Sequence, residues 1–105
     1  MVIIGIMSYP PESAKEHVKR FMEQSPLPAY ITMKGPYVSS EVGAGIKTIT
    51  IYECDQSKFT EAVEVLSARY AKYFGVPGLT YSLHEWLEVK EALKAIGIGE
   101  KPKGK

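Results

Sequence analysis

The 105-residue chain has no asparagine, one aspartate (Asp55), one cysteine (Cys54), one tryptophan (Trp86) and two arginines (Arg20 and Arg69). Each scarcity excludes something. A lone cysteine cannot close an internal disulfide, and without a Cys-x-x-Cys pair no thiolate zinc site can be built. Two arginines do not make a multi-arginine phosphate clamp, and one aspartate makes no aspartate cluster. With only two histidines, His17 and His84, spacing alone supplies no third metal ligand, so neither metal nor cofactor is expected. Long apolar runs are also missing. The N-terminal run stops after Met7 and has no basic segment before it, too short for a signal core or a membrane span. A cytoplasmic protein is the expectation.

Charge of one sign is scarce as well. Lysine and arginine number 13 against 12 acidic residues, a formal charge of +1. Three of those lysines, Lys101, Lys103 and Lys105, lie in the last five residues. Residues 98–105 therefore read as a basic, disordered tail on a slightly acidic body, residues 1–97. That balance argues against a nucleic-acid-binding face, which needs a net basic surface. What the sequence does have is 45% hydrophobic and 24% charged residues, the composition of one ordinary globular domain.

The periodicities predict an order of elements. Val2 to Met7 is a short apolar run broken only by Gly5, the pattern of a strand covered on both faces. Pro10-Pro11-Glu12 suits a first helical turn, and Ala14, Val18, Phe21 and Met22 recur on one helical face up to Gln24, before Pro26 and Pro28. Tyr30 to Lys34 alternates as a strand, with Gly35-Pro36 placing it at an edge or on a bulge. Ser39 to Gly45 reads as a turn region. Ile46 to Glu53 is the clearest strand, β-branched and free of Gly and Pro. Asp55 caps a helix running through Phe59, Ala62, Val63, Leu66, Tyr70, Tyr73 and Phe74 to Gly75. Leu79 to Trp86 forms a fourth strand, and Val89, Ala92, Leu93 and Ile96 a short last helix ended by Gly97.

The expected fold class is therefore α+β: a ferredoxin-like βαββαβ plan with an antiparallel sheet in order 4-1-3-2, both long helices on one face, and a short C-terminal helix. The other face would be left open. Placing Ile49 and Ile51 under the helices leaves Thr48, Thr50 and Tyr52 on that open face, joined by Ser82, His84 and Trp86 from the fourth strand and Tyr30 and Thr32 from the second. The phase of the first strand, apolar on both sides, is undecided. An uncharged, partly aromatic open face suggests an interface or a ligand groove, and hence a homodimer through the open sheet.

The segment Gly43-Ala44-Gly45, followed by Ile46 to Asp55 (IKTITIYECD), a long helix, a fourth strand and a short helix, resembles small members of the dimeric α/β-barrel superfamily. The resemblance spans residues 1–97. It implies ferredoxin-like protomers paired through their sheets. That superfamily includes cofactor-free monooxygenases, lactone isomerases, haem-degrading enzymes and ligand-sensing domains, and no motif here carries one of its catalytic residues over.

The candidate pocket on this reading is formed by Tyr9, Tyr52, Ser82, His84 and Trp86, taking a small apolar or aromatic molecule between helices and sheet or between two sheets. His84 can serve as acid, base or ligand near neutral pH, or simply fill an interface. His17 reads as a partly exposed packing residue, and Cys54 as a small apolar group beside a helix start. Tyr30 and Tyr81 are further possible donors, whereas Tyr70 and Tyr73 follow the helical stripe into the core. Gly43-x-Gly45 precedes a strand, so it lacks the helix end of a phosphate loop. An RNA-binding reading fails on the third strand, which has one lysine and no glycine, and acylphosphatase chemistry fails for want of an asparagine. The alternative to a ligand site is a non-enzymatic regulatory or assembly module whose open face is only a homodimer interface.

Overall fold

The computed structural model describes residues 1–97. The expected tail, 98–105, lies outside the described residues. The elements run β1 (Val2–Tyr9), α1 (Ala14–Met22), β2 (Thr32–Glu41), β3 (Gly45–Glu53), α2 (Phe59–Ala71), β4 (Thr80–Trp86) and α3 (Val89–Ala95), with short 3-10 turns before α1 and α2. The fold is α+β. All four strands form one antiparallel sheet in the order β2-β3-β1-β4, the expected order read from the other edge and consistent with a ferredoxin-like plan.

β2 is an edge strand and carries an irregularity between Lys34 and Tyr37, where Gly35-Pro36 removes a ladder donor. Pairing nevertheless resumes at Tyr37 and continues to Glu41, so most of the expected turn region is strand and only residues 42–44 turn. α2 ends at Ala71, short of the expected Phe74. The chain then makes a tight turn in which Gly75 takes a left-handed φ of 92°.

The core lies between α2 and the sheet. Leu66 is fully enclosed there, with Ala62 and Tyr70 from α2, Ile3, Met7 and Tyr9 from β1, and Ile31 and Tyr52. β1 thus turns Ile3, Gly5, Met7 and Tyr9 toward the helices and Val2, Ile4, Ile6 and Ser8 away. β4 follows the expected phase: Tyr81 and Leu83 pair with Met7 and Gly5 on the helix side, while Ser82 and His84 pair with Ile6 and Ile4 on the open side.

β3 has the opposite phase from the one expected. Thr48, Thr50 and Tyr52 are buried under the helices, and Ile49 and Ile51 face away. The reason is a polar contact. Tyr70 brings its hydroxyl down onto the sheet above Gly5, where the Tyr52 hydroxyl meets it at 3.1 Å. A buried phenol needs a partner, and the hydroxyl-bearing phase of β3 supplies one.

α1 also departs from expectation. Its apolar residues Val18, Phe21 and Met22 remain largely exposed, whereas His17 is only 8% exposed. Arg20 holds α1 to the turn after α2, donating to the carbonyls of Lys72 (3.1 Å) and Phe74 (2.7 Å) while pairing with Glu16 (2.7 Å). α3 leaves Val89, Leu93 and Ile96 exposed. Among the described residues, no helix is long and apolar enough to cross a membrane.

Candidate functional site

The site begins at Gly5. A Cβ built on this residue would lie 2.0 Å from the Tyr70 hydroxyl oxygen and 2.6 Å from its Cζ. The glycine that interrupts the apolar first strand is therefore the seat for a tyrosine from α2, a close approach of the kind strand glycines often mark. Tyr70 in turn contacts three other tyrosine rings. Tyr52 meets it edge-on at 6.4 Å between centroids, and Tyr73 and Tyr81 are tilted against it at 6.2 and 5.3 Å. Burial, with the Tyr52 phenol beside it, pushes the Tyr70 hydroxyl far above the ordinary tyrosine range, so it stays protonated.

A second group adjoins it. His17 stacks between Tyr9, 4.2 Å away, and Tyr73, 5.1 Å away. Desolvation lowers its pKa below the ordinary 6.5, which favours the neutral ring at pH 7. The same burial raises the phenols of Tyr9 and Tyr73. Gln24, at the end of α1, donates from Nε2 to the Arg69 carbonyl at 2.9 Å, and Arg69 reaches the Ser25 carbonyl. These contacts tie the end of α1 to α2.

Between the two groups is a cavity of about 30 Å³. Met7, Thr48, Thr50 and Tyr52 line it from the sheet, His17, Phe21 and Gln24 from α1 and its end, Arg69, Tyr70 and Tyr73 from α2 and the turn after it, and Met33 and Pro36 from β2. Phe21 and Met33 are 37% and 38% exposed and form its outer rim. The volume suits two or three waters, at about 10–15 Å³ of such space for each. Among the described residues, two buried side-chain polar atoms have no hydrogen-bond partner: His17 Nδ1 and Gln24 Oε1. Both residues line this cavity. An unpaired buried polar atom costs about 1–3 kcal/mol unless something fills the space beside it.

The sequence candidates divide between the two sides of the sheet. Tyr52 lines the cavity, and Tyr9 stands behind it, stacked on His17. Ser82, His84 and Trp86 are on the opposite face, His84 paired with Ile4 and Trp86 with Val2. The five residues do not form one pocket, because the phase of β3 moves Tyr52 away from the face that carries His84. His17, expected to be a partly exposed packing residue, is instead buried at the cavity. Tyr30 is half-buried against the core and Tyr81 touches Tyr70, while half-buried Cys54 accepts a hydrogen bond at its carbonyl from the Met1 amine at 3.0 Å. Among the described residues, no group of three His, Cys, Asp or Glu side chains could hold a metal.

Sequence reasoning missed His17, Gln24, Thr48, Thr50 and Tyr70 as cavity residues. One signal was available. A lone glycine in an apolar strand, opposite a strand alternating Thr-x-Thr-x-Tyr, marks where a large polar-tipped side chain can descend onto the sheet. No family model matches the chain, and no curated protein does.

Proposed function

We propose that this is a ferredoxin-like, dimeric α/β-barrel protein of the cytoplasm that binds a small, flat, largely apolar molecule in the cleft between α1, α2 and the sheet. The observation that carries the reading is the pair of unpartnered buried atoms, His17 Nδ1 and Gln24 Oε1, beside a cavity walled by aromatic rings. A protein interior ordinarily satisfies such atoms or replaces them with apolar groups. Polar groups converging in a hollow walled by aromatic rings, with an apolar rim at Phe21 and Met33, are consistent with a ligand site. The resting cavity is too small for an aromatic ring, so entry would displace the Phe21 and Met33 side chains, 37% and 38% exposed at its rim. The basic tail has no part in this reading, and neither nucleic acid nor a membrane is its partner.

The homodimer is supported by the open face. Val2, Ile4, Ile6, Ile49 and Ile51 make it aliphatic at its centre, and Trp86, 50% exposed, stands at one edge. A contiguous apolar patch on a sheet is the mark of a partner surface. The same patch favours a second reading, a non-enzymatic assembly or regulatory module whose only working surface is that interface.

Two measurements separate these readings. Light scattering should give twice the 11.7 kDa chain mass for the wild type and the single mass for Ile49→Asp, which sets a charge in the apolar patch. A monomeric wild type would sink the dimer. Ligand-observed NMR with a set of small aromatic compounds should find binders that Met33→Trp, which fills the cleft, no longer takes up. A dimer with no binder, or binders indifferent to Met33→Trp, would leave the assembly module standing.

A further inference from the structure

We infer that the cleft selects molecules that present a hydrogen-bond donor, an N–H or O–H, to the Gln24 side-chain oxygen: a flat N–H heteroaromatic or a phenol rather than a hydrocarbon or ether of the same shape. The inference rests on the cleft being the ligand site and adds the function the ligand must carry.

The orientation of the Gln24 amide is fixed by its partner. One end of the amide meets the backbone carbonyl of Arg69 at 2.9 Å. A carbonyl can only accept, so the atom that meets it must be the amide nitrogen. The other end is then Oε1, which can only accept. It is buried, and among the described residues no donor reaches it. Tyr73 lines the same cavity, yet no hydrogen bond joins its hydroxyl to Oε1. The amide is also held from both sides. Gln24 stands just beyond the end of α1, Arg69 is on α2, and the Arg69 guanidinium reaches the carbonyl of Ser25, the next residue in the chain. Turning the amide over would set two carbonyl oxygens against each other at the Arg69 contact.

Water can meet Oε1 while no ligand is present, since the cavity has room for about two or three molecules of it. A ligand entering the cleft displaces that water, and binding weakens wherever the ligand does not replace the hydrogen bond lost. A molecule without a donor therefore leaves Oε1 buried and unpaired, and a molecule with one restores it. His17 Nδ1, the other unpartnered atom, does not decide the matter, because an imidazole nitrogen accepts or donates according to its tautomer. Phe21, His17 and Tyr73 wall the cavity with rings, so the donor is best carried on a flat frame. Sites that hydrogen-bond a ligand N–H or O–H reject the analogue lacking it more strongly than they reject a change of apolar size.

Calorimetric titration of the full chain with three bicyclic probes of nearly the same shape tests it: indole, whose N–H donates; benzofuran, with an ether oxygen in that place; and indene, with a methylene there. Indole is expected to bind at least about tenfold more tightly than either of the others. This ranking in the wild type needs no variant. Gln24→Met, which removes Oε1, should bring indole down to the affinity of indene and leave indene binding unchanged, which also shows that the variant is folded. Three probes binding the wild type within twofold of one another, or an indole preference that survives Gln24→Met, would overturn the inference while leaving the cleft as a ligand site. Binding of none of them to the wild type would overturn both.

Discussion

The two faces of this sheet are arranged against ordinary expectation. The face beneath the helices carries Thr48, Thr50 and Tyr52, and the face without a helical cover carries Ile4, Ile6, Ile49 and Ile51. In an isolated two-layer domain the aliphatic residues belong under the helices and the hydroxyls toward water. Here the helix-side interior is a network of rings and hydroxyls about a small cavity, and the aliphatic residues are on the open face. The difference teaches that burial and apolarity are separate properties. The helix-covered face is buried but polar, and the open face is aliphatic at its centre but carries no helix of this chain over it.

The sharpest way to test that contrast is to remove a side chain from the apolar part of the helix-side interior. Among the described residues, Leu66 is the one large side chain enclosed completely, and it lies on α2 one turn before Tyr70. Leu66→Ala is expected to cost about 2–5 kcal/mol of folding stability, read from the midpoint of urea unfolding. The loss should not vary with protein concentration, because the cavity it leaves is internal to one chain. Ile51→Ala on the open face should behave differently. If the proposed dimer forms, its cost should shrink as the protein is diluted below the dimer dissociation constant, since pairing would complete the burial of that half-buried side chain. Equal concentration dependence for the two variants would abolish the distinction between the faces.

A smaller effect is expected at Gly5. The Cβ of Gly5→Ala would lie 2.0 Å from the Tyr70 hydroxyl oxygen, so the ring must shift. Overpacking of this kind typically costs about 1–3 kcal/mol. The obstruction is the hydroxyl and Cζ end of one ring, so Gly5→Ala combined with Tyr70→Leu, which removes both, should recover much of the loss in the same unfolding measurement. The cycle should therefore show coupling between two residues 65 positions apart in the chain. Additive costs in the double variant would mean that Gly5 does not seat Tyr70.

How much of this was legible in the sequence follows from the same contrast. Element order, strand order, the edge position of β2 and the phase of β4 could be read, because each rests on local chemistry: proline at an edge, a clean alternation, a glycine after a helix. The phase of β3 could not. Its alternation is equally clean either way, and the rule that aliphatic residues go under helices chose the wrong side. What decided it was the Tyr70 hydroxyl, brought from α2 to a position above Gly5, a contact that no local pattern contains. The error then carried into the candidate site. Placing Tyr52 on the open face groups it with His84 and Trp86, and His17, a lone histidine beside a helical stripe, has no sequence partner that marks it as a site residue. Its partners, Tyr9 and Tyr73, come from β1 and from the turn after α2.

The smallest expected effect concerns His17 and pH. Stacked between Tyr9 and Tyr73, it has a folded-state pKa below its unfolded value of 6.5, and the cause is loss of water around the charged ring. Below about pH 6.5 the unfolded chain takes up a proton that the folded chain resists. The contribution of His17 is thus fully present above that pH, and it is lost as the pH falls from there toward the folded-state value. Thermal unfolding from pH 8 to pH 5 should show the melting temperature of the wild type falling through the lower half of that range. His17→Phe, which keeps a ring between the two tyrosines and has no proton to bind, should show a shallower fall. The carboxylates contribute equally to both proteins, so the difference between the curves isolates the histidine. If the two curves ran parallel, the ring would be titrating as freely in the fold as in the unfolded chain, and the helix-side interior would be far wetter than its stacked geometry implies.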